Sequence, residues 1–480
     1  MTHMKKEVFT ALCATLMISG CTMIPDYMRP HFSGAGKWDP VPHYTTKAGE
    51  VAASKLDWRS FFKSPELQKV IETALQNNRD LKIAALNIDA ARAAYRITRA
   101  DLIPSISADG SATYSKTSDD SSTTGNAQKT ELYGANVKLS AYELDLFGRV
   151  RSQNESALND YLSTKAATDV VRNSLIAEVA NAYLQLLADQ KLLSLTEKTL
   201  DAQKNTYDLL TQSLKNGLAT DQDVARAETA VETARVNLHQ YTRFVTQDKN
   251  ALFQLMGISH DDNFISAVSL DQISLLDNLD PGVPSDVLLA RPDIRQAEYT
   301  LMSRNADIGA ARAAFFPQIN LTGQYGFAST GLSSLFSGGA AGAYNFLPTI
   351  SLPIFEGGRN IANLDLATIR KDQAIAAYEK AIQTAFREVA DELAARATLD
   401  AQLGAQKRLV AAAQKVYDIS DARYKAGVDS FLSVLDAQRE LYTYQQTQIE
   451  TERARLANLV NLYKVLGGGT SQEEIREEKK

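Results

Sequence analysis

The chain has 480 residues, 44% apolar and 22% charged, an ordinary balance that excludes collagen-like and low-complexity chains. Lys plus Arg is 51 and Asp plus Glu is 57, a net charge of −6, which excludes a basic nucleic-acid footprint over the whole chain; no nucleic-acid partner is expected. Two cysteines (Cys13 and Cys21) exclude a disulfide scaffold and a cysteine zinc site, and five scattered histidines show no His-Glu-x-x-His spacing. Neither a metal site nor an enzyme is expected.

Lys5 and Lys6 form a short basic head, and residues 9–19 form an eleven-residue apolar run too short to span a bilayer. Ile18, Ser19 and Gly20 then precede Cys21. This layout predicts a cleaved secretory signal over 1–20. A Cys directly after the small residues resembles a lipobox, so Cys21 is expected to carry a covalent lipid, the only group added to the chain. Thr22, in place of an Asp, favours the outer membrane. No other stretch of about 18 apolar residues occurs, so any crossing of the membrane must be a β-barrel.

An N-terminal segment over 21–62 follows, and then two copies of one unit, 63–257 and 285–467, joined by a connector at 258–284. Glu178-Val179-Ala180 recurs as Glu388-Val389-Ala390, and Gly217 as Gly427, both 210 residues later. Upstream the offset is 213: Asp80-Leu81 recurs as Asp293-Ile294, and Pro104 as Pro317. A small length difference therefore lies between Pro104 and Gly148.

Within each copy strands come before long helices. Ile106, Ala108, Gly110, Ala112 and Tyr114 alternate with polar residues, as do Ile319, Leu321, Gly323, Tyr325 and Phe327. The strands are predicted at about 104–116 and 131–146, then 317–327 and 345–355. Pro104 and Pro317 sit at strand starts, where a missing N–H is tolerated. Four strands cannot close a membrane barrel, which needs at least about eight. Two chains would supply eight and three twelve; the pattern does not choose.

No Pro occurs from 105 to 280 or after 353, and Gly is missing from 149 to 216 and from 218 to 256. Leu175, Val179, Ala182, Leu186, Leu193 and Leu200 keep coiled-coil steps. A helix over 148–216 would be roughly 100 Å long. Gly217 ends it and a second helix returns over 221–256. The second copy repeats this from about 359, with a break near Gly427 and a return to about 466. Gly404 weakens the reading of one unbroken helix there. Leu56-Asp57-Trp58-Arg59 with Phe61-Phe62 is an expected aromatic anchor. Gly467-Gly468-Gly469 is the expected end of the last helix; the C-terminal tail over 468–480 finishes in a charge run from Glu473 to Lys480.

The residues now assembled resemble the TolC-like outer-membrane factors, the lipoprotein branch of multidrug efflux channels. The matching stretches include Pro25-Asp26-Tyr27, Asn77-Asn78-Arg79-Asp80-Leu81, Glu143-Leu144-Asp145-Leu146-Phe147-Gly148-Arg149, Ala310-Ala311-Arg312-Ala313-Ala314-Phe315-Phe316-Pro317 and Leu352-Pro353-Ile354-Phe355. The resemblance implies a mixed α/β, mainly α fold: a helical barrel in the periplasm and four strands per chain in a homotrimeric outer-membrane barrel. It also implies a mixed belt built from about 50–75, 260–285 and the C-terminal part. The implied partners are a periplasmic adaptor, an inner-membrane proton-driven transporter of the RND type and outer-membrane lipid. The implied function is a passive exit duct for toxic small molecules. A duct for metal ions or secreted proteins and a non-conducting stalk are the alternatives.

The resemblance also implies a gate at the hairpins around Gly217 and Gly427. Asp429-Ser430-Phe431-Leu432-Ser433-Val434-Leu435-Asp436 matches the family's constriction. Leu432 would form an apolar ring and Asp436 an acidic one, a helical turn apart, giving a gate sensitive to pH and cations. Some relatives carry an Asp at the position of Ser433, so their double acidic ring is not expected here. Asp223, Tyr424 and Arg439 are the implied links that hold the hairpins shut.

Overall fold

The computed structural model describes residues 22–30, 51–53, 56–118, 120, 128–261, 264–265, 268–277, 279–280, 291–336 and 341–469. The expected signal, Cys21 and the tail after residue 469 lie outside the described residues. In chain order the elements are β1 (Val51–Ala52), α1 (Trp58–Phe61), α2 (Pro65–Asn77), α3 (Arg79–Ala100), β2 (Ser105–Thr117), β3 (Gln128–Leu144), α4 (Arg149–Lys215) and α5 (Asp221–Met256). There follow β4 (Leu279–Asp280), α6 (Pro292–Ala313), β5 (Gln318–Ser329), α7 (Leu332–Phe336), β6 (Ala341–Ser351), α8 (Arg359–Lys425) and α9 (Phe431–Val465).

The duplication is visible in the element lengths. α3 and α6 have 22 residues each, α4 and α8 have 67 each, and α5 and α9 have 36 and 35. α8 continues through Gly404. A Cβ there would meet only the Arg408 guanidinium, at 3.6 Å, so that glycine serves no close approach and the helix absorbs its cost of about 1 kcal/mol. No described helix is long and apolar enough to cross a membrane.

The chain divides into two compact units that cut across the sequence repeats: 1–31, 87–165 and 296–379 in one, 32–86, 166–295 and 380–480 in the other. The long helices contribute residues to both.

The first unit holds an antiparallel sheet in the order β2-β3-β5-β6. Its register builds rows of like character. Ile106 pairs with Leu139, Leu139 with Gly323, and Gly323 with Phe346; Ala108, Val137, Tyr325 and Tyr344 form the next row. The opposite face carries Ser107, Lys138, Gln324 and Asn345. Between Leu139 and Tyr142 the pairing of β3 with β5 slips by one residue, and Ala141 takes φ 28°. This bulge switches the parity of β3, so that Tyr142 and Leu144 pair with Leu321 and Ile319 and rejoin the apolar face. β2 and β6 are the sheet's edges, and Pro348 lies on β6, where its missing N–H leaves an interior ladder intact. β6 begins at Ala341 and ends at Ser351, four residues earlier at each end than the alternation predicted. Its pairing runs out against Gln318, the first residue of β5.

The second unit has the larger apolar core. Leu67, Val70, Ile71 and Ala74 form the buried stripe of α2, with Pro65 in its first turn. The anchor residues Trp58, Phe61 and Phe62 are fully buried. Phe61 stacks on Tyr463 with centroids 4.3 Å apart, and the Tyr463 hydroxyl donates to the Leu56 carbonyl at 2.8 Å. β1 and β4 pair in parallel beside this core, which adds Met256, Leu270 and Leu279 to the aromatic cluster.

Candidate functional site

Both hairpin tips, in the second unit, close by the same hydrogen-bond rule. Gly217 N–H donates to Leu214 O at 2.9 Å and Leu218 N–H to Ser213 O at 2.9 Å. Gly427 and Val428 repeat this onto Tyr424 O and Arg423 O at 2.9 and 3.0 Å. These are Schellman closures, and each glycine sits at φ 71°, which L side chains rarely adopt.

The returning helices start differently. Thr220 and Asp223 form a capping box at the start of α5: the Asp223 N–H donates to the Thr220 hydroxyl oxygen, and the Thr220 N–H and hydroxyl donate to the Asp223 carboxylate. Ser430 at the start of α9 makes no side-chain cap. Its turn is held by Arg423, which donates to Asp429 at 2.5 and 2.9 Å. The hydrogen bond from Arg423 holds the Asp429 carboxyl below its ordinary value.

The tips pack on each other through Leu210, Ala227, Ala230, Phe431, Val434 and Leu435. Tyr424 lies against this cluster, edge-on to Phe431 at 5.6 Å. Burial, then the Asp223 carboxylate, raises the pKa of its hydroxyl, while Asp223 itself hydrogen-bonds Thr220 of its own cap. Leu432 and Asp436 both open onto a groove of about 450 Å³ between α5 and α9. Arg439 lines it as well and faces Asp436 at 3.9 Å, an ion pair with both side chains more than half exposed. This Arg439 contact lies within one helix.

The sequence reading passed over Arg226, which lines the same groove from α5. The repeat offset of 210 would have found it, since Arg226 stands where the second copy has Asp436. The reading also passed over Arg423 and Asp429 as a pair. Among the described residues no group of three or more His, Cys, Asp or Glu could hold a metal.

Paired long hairpins with an apolar-faced antiparallel sheet define the class of TolC-like outer-membrane channels. Residues 70–258 and 283–468 match the family described as outer membrane efflux protein, and the chain belongs to it. It is 48% identical to the antibiotic efflux pump outer membrane protein ArpC of Pseudomonas putida, over 97% of this chain and 96% of that one. It is 47% identical, over the same shares, to the toluene efflux pump outer membrane protein TtgC of P. putida. The open-state structure of the MtrE outer membrane channel of Neisseria gonorrhoeae superposes with a TM-score of 0.85 at 38% identity, covering 94% of this chain and 98% of that one. The protein is the outer-membrane channel of a tripartite efflux system.

Proposed function

We propose that three copies of the chain close into one exit duct, anchored by lipid on Cys21, and that the duct performs no catalysis of its own. The observation that carries this reading is the sheet: an apolar face runs across all its strands while β2 and β6 each offer an open edge. Long exposed edges demand partners, and twelve strands from three chains would close a barrel.

Toxic small molecules such as antibiotics and aromatic solvents are the cargo suggested by the names of the relatives. A periplasmic adaptor and a proton-driven RND-type transporter would complete the route and supply the energy. Leu432 would ring the narrow end as an apolar constriction and Asp436 as an acidic one, the first stopping ions by dewetting and the second attracting cations. Asp223, Tyr424 and Arg439 would hold the tips shut.

Single-channel conductance in a planar bilayer tests this. The native chain is expected to conduct little, and a Leu432→Ser, Asp436→Ala double variant is expected to show large steady openings. A native channel unchanged by the variant would remove the gate from this hairpin. Silence from both folded, inserted proteins would favour a non-conducting stalk.

A further inference from the structure

The two returning helices start in register: α5 begins at Asp221 and α9 at Phe431, the repeat offset of 210. Arg226 and Asp436 are each the sixth residue of their helix, so they lie at equal depth from the two tips. Both line the groove between these helices, with Arg439 one turn beyond Asp436. These three are its charged lining, two guanidiniums to one carboxylate. The rest of the lining, such as Gln203, Thr233, Asn237 and Gln446, is uncharged.

Arg226 forms no ion pair among the described residues. Its neighbours one turn away on α5 are Gln222, Asp223, Thr229 and Ala230. Asp223, the carboxylate among them, accepts from Thr220 instead. Arg235, further along α5, shows the alternative, pairing with Glu232 at 2.7 Å. Asp436 meets Arg439 only at 3.9 Å with both side chains more than half exposed, so its charge also stays open to the groove.

A ring of carboxylates by itself attracts cations. Opposite charges at one depth cancel for an ion passing at more than their separation, so a guanidinium beside each carboxylate removes that pull. We propose that Arg226 is a selectivity-determining residue of the duct: interleaved with Asp436 around the constriction, it offsets the acidic ring and lets anionic solutes pass beside cationic ones. Three chains would set three guanidiniums and three carboxylates alternately around the axis, one of each pair from each copy of the repeat. The proposal rests on the gate reading for its place in the duct; the charge of the groove stands on residues within one chain.

The first test reads the potential in the groove without requiring an open channel. Thr229→Cys, an exposed lining position one turn from Arg226, is reacted in full-length protein in detergent with an anionic and a cationic methanethiosulfonate of similar size. Protein without that cysteine gives the blank. Adding Arg226→Gln is expected to lower the ratio of anionic to cationic rates by at least about twofold at low salt, and adding Arg226→Lys to keep it. An unchanged ratio in Arg226→Gln overturns the proposal.

The second test is the reversal potential across a potassium chloride gradient, in a Leu432→Ser background that widens the apolar ring and keeps Asp436. That background is expected to show little preference, and adding Arg226→Gln to raise cation over anion permeability by at least about twofold. A shift with Asp436→Asn but none with Arg226→Gln overturns the selectivity role and leaves the gate reading standing. No conduction, or no shift with either variant, overturns the gate reading and the selectivity role with it.

Discussion

Arg423 and Asp429 clasp the second hairpin across its turn, whereas the equivalent positions of the first hairpin are Ser213 and Ala219. Two copies of one unit thus close by the same glycine and are secured by different chemistry: a capping box in the first, an ion pair in the second.

Arg423→Ala should therefore loosen one tip alone. Amide exchange at Val428, whose N–H donates to Arg423 O, should quicken while Leu218 is unchanged. Because Arg423 lowers the Asp429 pKa, the pair's contribution is present above the unfolded carboxylate value and is lost as pH falls through the lower folded one. In the native chain the protection of the Val428 amide, its exchange rate relative to the intrinsic rate at the same pH, should fall only in acid; equal protection in both proteins at neutral pH would refute the clasp.

The turn glycines separate backbone strain from collision. Nothing lies within 4 Å of a Cβ added at Gly217 or Gly427, so alanine at either should cost about 1–2 kcal/mol from backbone conformation alone. At Gly257 (φ 66°) a Cβ would collide with the Asn77 carbonyl. Gly257→Ala should lower the melting temperature by more than either hairpin variant.

Asp248 on α5 faces the buried Asp189 of α4, and its pKa is pushed up to about 7 by burial, then by Asp189. Gln185 donates to Asp189 at 2.8 Å. The unfolded value is about 3.9, so this pair's stabilising contribution is full below about pH 4 and is lost as pH rises through the folded value. Melting should fall between about pH 5 and about pH 8.5 in the native chain, and by less in Asp248→Asn. An identical pH profile in both proteins would show that the pair is not responsible.

Tyr463 joins the last helix to the N-terminal aromatic anchor. Tyr463→Phe removes its hydroxyl bond to Leu56 and should cost about 1 kcal/mol. Tyr463→Ala also removes the stack on Phe61 and should cost about 3–5 kcal/mol by calorimetry or denaturant titration. A Cβ on Gly468 would collide with the same ring, so Gly468→Ala should destabilise as well.

Local physics made much of this molecule readable in its residues. Period-two alternation marked β2 and β5, the long runs without Gly or Pro marked α4 and α5, and a near-constant offset of 210 to 213 residues exposed the duplication. Each is a matter of near neighbours along the chain, where propensity and periodicity act. Gly217 and Gly427 belong here too, because a left-handed residue is needed wherever such a helix turns back.

Tertiary structure decided what depends on residues far apart in sequence. The bulge at Ser140 and Ala141 exists because β5 must keep its apolar partners while β3 changes parity. The fork between Arg29 and Glu298 joins residues 269 apart, and Asp189 with Asp248 makes a shared environment from two separately unremarkable carboxyls. Gly404 did not break α8, because the packing of a 67-residue helix outweighs one residue's propensity. Residue type and spacing specify the elements, while burial and long-range pairing specify which side chains meet. That is why the hairpins could be read from the chain and the clasp and the groove could not.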